Sequence, residues 1–308
     1  MRAIAEAPSK VIVTGEHFVV HGAWALAAAL PGKVRVEVEA SSSLKVASQG
    51  FQAGASELAP ISRVVGAVAE EFSVSQPVSV SISSSVPRGA GLGSSAATMV
   101  ALAAALSRFH ALHLGVEDVI RLSMVGEKDI HGRPSGVDPA VCALGGVILF
   151  RPGSKPRRVS FKGSRSLVVS YSGINRETRG QIGRVSETKD RYPSYFGSLA
   201  RSVSQLSIEA AGMLAEEDGE GLGAALTLNH AILCSLGVSN PALDGMVDLM
   251  SSLGAYGAKL TGGGGGGSVV AVAPKAKEKN LVSGLTARGY ETFIAKVPAE
   301  GVKSWLER

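Results

Sequence analysis

An α+β fold in two layered halves is predicted by three features of the sequence. Strand-like and helix-like segments alternate through the first half. A polar connection rich in Pro and basic residues, "PGSKPRR" from residue 152, then interrupts the pattern. Beyond it, a long helical tract leads into a closing set of a strand, a helix and a strand. The boundary is expected near 155–165, dividing the chain into 1–160 and 161–308. At 308 residues the chain is long enough for two domains, or one large one, with a sizeable core.

The elements follow in order. "KVIV" (10–13), "KVRVEVEA" (33–40) and "PVSVSISSSV" (77–86) read as strands, the last two by their period of two. Residues 61–72, 94–112 and 116–130 carry helical spacing, and "GGVILFR" (145–151) reads as a strand. In the second half "SLVVSYS" (166–172) is a strand and 176–253 a helical tract. Its last part places Leu243, Met246, Val247 and Met250 on one face. Six glycines at 262–267 are then expected to join a helix to the buried strand "SVVAV" (268–272). "ETFIAKV" is the last strand expected, and no internal repeat is visible.

Composition excludes several classes. With 45% hydrophobic and 19% charged residues the chain belongs among soluble globular proteins. The longest apolar run, 23–30, is too short to span a bilayer. The net charge of +5 suits an acidic small molecule, while 5% aromatic content and no long basic run argue against nucleic acid. Glu6 and Lys10 break up any N-terminal signal sequence, and Cys142 and Cys234 read as reduced core thiols. A cytoplasmic location is expected.

The sharpest segment is "SVPRGAGLGSSAATMV" (85–100). Pro87 stops a strand, Gly89, Gly91 and Gly93 alternate, and a helix begins at the Ser94–Ser95 pair, where a seryl N-cap is expected. A helix N-terminus reached through glycines is a cradle for phosphate, although no Gly-Lys-Ser/Thr follows as in a P-loop. A turn serving only as a cap is the alternative. In "GEKDIHGRPSGVDPAV" (126–141), Glu127 and Asp138 stand eleven residues apart across a tight turn. A lone Asp there would read as an N-cap; two carboxylates in different surroundings suit cation binding and proton handling. "APSKVIVTGEHFVVHG" (7–22) brings Lys10, Glu16 and His17 to a strand and the turn after it, where all three could equally be surface residues. Together these turns suit a nucleoside triphosphate site. The glycines hold phosphates, Ser95 and Glu127 offer hard oxygens to Mg²⁺, and Lys10 and Asp138 remain for an acceptor hydroxyl.

Three segments, "APSKVIVTGEH", "PRGAGLGSSAA" and "KLTGGGGGGS", stand in the order found in the GHMP family of small-molecule kinases, which the chain resembles over most of its length. "GEHFVVHG" and "HGRPSGVDPAV" are most similar to the branch that phosphorylates the 5-hydroxyl of mevalonate. The resemblance implies an ATP-binding N-terminal domain of the ribosomal-protein-S5-like type, a ferredoxin-like C-terminal domain, and an active site between them. It implies phosphate binding by Pro87, Gly89, Ala90, Gly91, Leu92, Gly93, Ser94 and Ser95, Mg²⁺ at Ser95 and Glu127, and catalysis by Asp138 and Lys10. Glu16, His17, Arg176 and Thr178 join Lys10 and Asp138 around the substrate, Thr261, Gly262 and Gly264 form a supporting loop, and His131 falls on a matching His. ATP and mevalonate are the implied small-molecule partners, with no nucleic acid and no membrane, and a homodimer left open. Ser9 stands where the family usually has Gly, and Gly263 where it has Ala. The alternatives are a sister kinase on the same fold, for phosphomevalonate, for the 3-hydroxyl of mevalonate or for a sugar, and a silent nucleotide-binding regulator. Members acting at the 3-hydroxyl would be expected to differ around Lys10 and Asp138, and a regulator to have lost Lys10, Glu127 or Asp138, and all three are present. His110 and His113 are spaced to share one helix face but lack the partner set of a zinc site, and His230 reads as a hydrogen-bonded helix residue.

Overall fold

Two long antiparallel strands, β1 (Arg2–Thr14) and β2 (Ala25–Ala40), carry the first half. Both extend well beyond the predicted 10–13 and 33–40. Residues 3–5 and 25–30 are buried throughout, so they show continuous small apolar residues rather than alternation. The outer part of β2 alternates, with Val34, Val36 and Val38 buried. The computed structural model describes residues 2–48, 55–86, 89–160, 163, 165–175 and 178–307.

A short 3-10 turn (Val19–His21) connects β1 to β2. Next come β3 (Lys45–Ser48), α1 (Ala55–Phe72) and β4 (Val78–Ser84). Three helices follow, α2 (Ser94–Phe109), α3 (Val116–His131) and α4 (Val137–Leu144). Then β5 (Val147–Phe150) and β6 (Arg157–Arg158) close the first half. The sheet order is β11-β1-β2-β4-β3, with β11 being Lys303–Glu307, β5 pairing with β2, and β6 with β5. β11 thus returns the C-terminal end of the chain to the first sheet, so a division at 160/161 leaves one strand of that sheet in the second half, and "ETFIAKV" is not the last strand. Helix α2 packs on β1 and β2 through alanines, with Ala96, Ala97, Ala101, Ala103 and Ala105 fully buried, and small side chains let its axis lie close to the sheet.

The second half opens with β7 (Arg165–Tyr171). The expected tract at 176–253 is four helices: α5 (Thr178–Arg191), α6 (Pro193–Ala215), α7 (Gly219–Ser235) and α8 (Pro241–Ser252). Pro193 and Pro241 each open a helix, where a missing N–H costs nothing. Then follow β8 (Gly257–Thr261), β9 (Ser268–Val272), α9 (Lys275–Thr286) and β10 (Glu291–Val297), in the antiparallel order β10-β7-β9-β8. The glycine run therefore joins two strands, not a helix to a strand. β8 was hidden because all five of its residues are buried and show no alternation. Leu243, Met246, Val247 and Met250 are buried on one face of α8, as their spacing predicts.

Two other expectations change. Cys234 is exposed rather than in the core, while Cys142 is buried. Helix α2 ends before His110, and His113 is left-handed in the loop beyond, so the two histidines share no helix face. No helix among the described residues is long and apolar enough to cross a membrane.

The halves are joined by side chains reaching between them. Phe18 and Ala23, from the β1–β2 connection, lie in the core of the second half. Thr261 Oγ1 donates to Ile12 O at 3.0 Å and accepts from Ile12 N at 3.1 Å. Thr14 Oγ1 donates to Ser207 Oγ at 2.9 Å, and Ser204 Oγ accepts from Trp24 N at 3.0 Å.

Candidate active site

The register of β1 against β2 shifts between Pro8 and Ser9. Past this bulge, Lys10 turns its side chain inward, 1% exposed, between the sheet and the start of α2. Ser9 fits beside it because a Cβ on Gly32 would lie only 3.0 Å from Ser9 Oγ, so the glycine opposite makes the room. Lys10 N donates to Leu92 O at 2.9 Å, tying β1 to the glycine turn of 89–93. Its Nζ lies 3.0 Å from Asp138 Oδ2 and 3.4 Å from Gly91 O.

Asp138 is the second residue of α4, and the N-cap is Gly136, so Asp138 does not serve as the cap. Its Oδ1 has no hydrogen-bond partner among the described residues. Gly93, at φ 77°, is likewise the N-cap of α2, in place of the expected seryl cap, and no side-chain cap bond closes that end. Ser94 and Ser95 fall inside the first turn, whose N–H groups therefore remain open to an anion. Ala90 O accepts from Ser268 Oγ at 2.8 Å, which fastens the glycine turn to β9.

His131, at the end of α3, brings two predicted metal ligands to one point. Its Nε2 stands 3.4 Å from Ser95 Oγ and 3.7 Å from Glu127 Oε2. Glu127 is 2% exposed on the inner face of α3. Two hard oxygens converging beside a helix N-terminus are a donor set that suits Mg²⁺ completed by phosphate and water.

Lys10, Glu16, His17, Glu127, His131 and Asp138 all line one cleft of about 150 Å³, with Gly262 and Gly263. Val19, Val20, Val137 and Ile182 give it an apolar wall, and Arg133 also lines it. The Gly15-Glu16-His17 turn is held by the second half at each residue. Gly15 N donates to Asn229 Oδ1 at 3.2 Å, Glu16 pairs with Lys259, and His17 Nε2 donates to Gly263 O at 3.1 Å. Burial pushes the Glu16 carboxyl up from its usual range and Lys259 down, with each partner opposing the other's shift.

The glycine turn of 262–267 fills the space between these parts. A Cβ on Gly267 would meet Ala90 O at 3.2 Å, one on Gly265 would meet Gln181 Nε2 at 2.5 Å, and one on Gly264 would meet Val238 O at 2.1 Å. Thr261, before it, is the buried link to β1 already described. Pro87 and Arg176 lie outside the described residues, and Thr178 is the first residue of α5.

Sequence reasoning missed Lys259 and Asn229. Lys259 carries a signal, a lone cation in an apolar stretch directly before the glycines. Asn229 carries none, because an Asn on an amphipathic helix looks like a solvated residue. His230 is a hydrogen-bonded residue of a helix as expected, is buried, and with Cys234 and Asp244 brings three donor atoms within 4.8 Å of one another. Leu260 N–H points at His230 Nδ1 at 3.4 Å. The ring proton therefore sits on Nε2, facing Asp244, and leaves no lone pair there for a metal.

Residues 59–146 match the family described as GHMP kinases N terminal domain, and 210–291 the one described as GHMP kinases C terminal. The chain is 34% identical to the mevalonate kinase of Aeropyrum pernix, with 98% of each chain covered. It is 33% identical to that of Thermococcus sibiricus, again over 98% of each. The structure of L. major mevalonate kinase in complex with R-mevalonate superposes with a TM-score of 0.82 at 30% identity, covering 96% of each chain.

Proposed function

Because the chain belongs to the GHMP kinase family, we propose that it transfers the γ-phosphoryl group of ATP to the 5-hydroxyl of mevalonate, giving 5-phosphomevalonate and ADP. The observation that carries this reading is the Lys10–Asp138 pair, set beside the open N-terminus of α2 at the wall of a cleft with apolar sides. The relatives named mevalonate kinase supply the acceptor.

The parts divide the work as phosphoryl transfer requires. Glycines 89–93, the first turn of α2 and Ser94 receive the phosphates. Ser95 and Glu127 would hold Mg²⁺, which neutralises charge on the β- and γ-phosphates when bound. The apolar wall of Val19, Val20, Val137 and Ile182 suits the methyl-bearing carbon of mevalonate. The Asp138 carboxylate takes the 5-hydroxyl proton as the hydroxyl oxygen bonds to the γ-phosphorus and the bond from the γ-phosphorus to the β-phosphate oxygen breaks. Lys10, 3.0 Å from Asp138 Oδ2, holds that carboxylate in place and offsets charge on the phosphoryl group. His17 lines the cleft and joins the substrate surroundings; the family resemblance implies the same role for Arg176 and Thr178. The N-terminal half, 1–160, together with β11 in its sheet, is the ATP-binding domain.

ADP release measured over mevalonate, phosphomevalonate, galactose and homoserine tests the acceptor. Mevalonate is expected to dominate kcat/KM, and dominance of another acceptor would make the chain a sister kinase. A second expectation concerns the metal. Glu127→Gln keeps a carbonyl oxygen and loses the charge, so turnover should fall steeply at limiting Mg²⁺ and recover in part as Mg²⁺ is raised, with the fold unchanged. Wild-type turnover at limiting Mg²⁺ would remove Glu127 from the metal site.

A further inference from the structure

We propose that Lys259 is a positioning residue for the acceptor: from its buried seat on β8 it aims Glu16 so that the second carboxylate oxygen accepts a hydrogen bond from the 3-hydroxyl of mevalonate. This rests on the acceptor proposed above and adds what the cleft recognises beyond the reacting hydroxyl.

The side chains of Lys259 and Glu16 are 0% and 1% exposed. Lys259 Nζ donates to Glu16 Oε1 and, at 2.5 Å, to Leu260 O. That leaves Glu16 Oε2, which is buried and has no hydrogen-bond partner among the described residues. A buried acceptor left open is costly, and such groups are normally filled. Glu16 lines the acceptor cleft, so a ligand there can fill it. Mevalonate offers three polar groups. The 5-hydroxyl belongs to Asp138 and Lys10, and the substrate carboxylate would be repelled by Glu16. Only the 3-hydroxyl remains as a donor.

A joining role alone does not explain the pair. Thr261 with Ile12 already binds β8 to β1, and Thr14 with Ser207 and Asn229 with Gly15 bind the same two halves together, all without buried charge. A buried ion pair is a poor staple, since apolar side chains of similar size do as well or better. What Lys259 adds is control of the Glu16 charge. Burial raises Glu16, and Lys259 opposes this, with a smaller effect of Lys10 in the same direction. The other titratable or charged groups around the pair are His17, next in the chain, His230 behind Leu260, and Glu127, His131, Arg133 and Asp138 along the cleft.

The test compares kcat/KM for mevalonate with that for 5-hydroxy-3-methylpentanoate, which lacks the 3-hydroxyl. The wild-type enzyme should prefer mevalonate by about tenfold to a hundredfold, the range of a hydrogen bond to a charged group. Glu16→Gln should lose most of that preference at every pH, with the KM for ATP little changed. Lys259→Met should lose it near neutrality and regain it as pH rises, because Glu16 without its cation ionises only at higher pH. Lys259→Arg should keep much of the preference. If Lys259→Met does not fold, Lys259→Gln, which keeps a donor without the charge, is read in the same way. Equal use of both acceptors by the wild type would overturn the proposal while leaving mevalonate as the substrate, whereas no turnover of mevalonate would overturn the function itself. A Lys259 variant that weakens ATP and mevalonate alike, with a flat pH profile, would reduce Lys259 to a structural link.

Discussion

Asp138→Asn lowers kcat by about 10² to 10⁴, the usual reach of a general base, while Mg-ATP affinity changes little. The amide keeps the size of the carboxylate and loses its charge and its capacity to take a proton. The Asp138 side chain lines the cleft and is 26% exposed, which puts its carboxylate within reach of a substrate hydroxyl. The phosphates are held elsewhere, by the turn of 89–93 and the open end of α2. Lys10→Met should lower kcat as well, with some loss of ATP affinity, because Lys10 Nζ also stands 3.4 Å from Gly91 O on the phosphate turn. With Nζ only 3.0 Å from Asp138 Oδ2, the two act as a unit, and the double variant should lose less than the product of the single losses. Steady-state kinetics with a separate nucleotide titration measures all three. A kcat within about threefold of wild type for Asp138→Asn, far below the general-base range, would leave positioning alone to explain the rate.

Gly264→Val should abolish turnover with helix and sheet content intact. Gly264 has φ +74°, a conformation costing a side-chain-bearing residue about 1–2 kcal/mol. The larger effect is a collision, since its Cβ would lie 2.1 Å from Val238 O. That carbonyl accepts from Gly265 N at 2.8 Å, so the connection between α7 and α8 grips the glycine turn and neither can yield alone. Displacing the turn moves Gly263 O away from His17 and the Gly267 backbone against Ala90 of the phosphate turn. Turnover and circular dichroism on the same preparation check this. A fully active and normally stable Gly264→Val protein would show that the run is only a tolerant connection.

Much of this site was legible because its chemistry is local in sequence. The glycines at 89, 91 and 93 with the helix after them, and the two carboxylates across "HGRPSG", are short segments whose residue types already imply their work. What the sequence hid depends on burial and on contacts between distant segments. β8 and the first parts of β1 and β2 are buried throughout, so they lack the alternation that marks a half-exposed strand. β11 is a short, mostly exposed edge strand whose place beside β1 is set by tertiary pairing. Lys259 acts across 243 residues on Glu16, and Asn229 across 214 on Gly15, separations over which no spacing rule operates. The seryl N-cap was expected because Ser is a good cap, but the tertiary position of the turn placed Gly93 there in a left-handed conformation.

The position of the phosphate in the product decides most directly whether this enzyme is the kinase proposed. Wild-type protein, ATP, Mg²⁺ and (R)-mevalonate are taken to completion, and the product is read by proton-coupled ³¹P NMR. Transfer to the 5-hydroxyl places phosphorus beside a methylene carbon, so its resonance should split into a triplet that collapses on proton decoupling. A resonance without that splitting, as expected of phosphate on the tertiary 3-oxygen, or no new phosphate ester at all, would contradict the assignment.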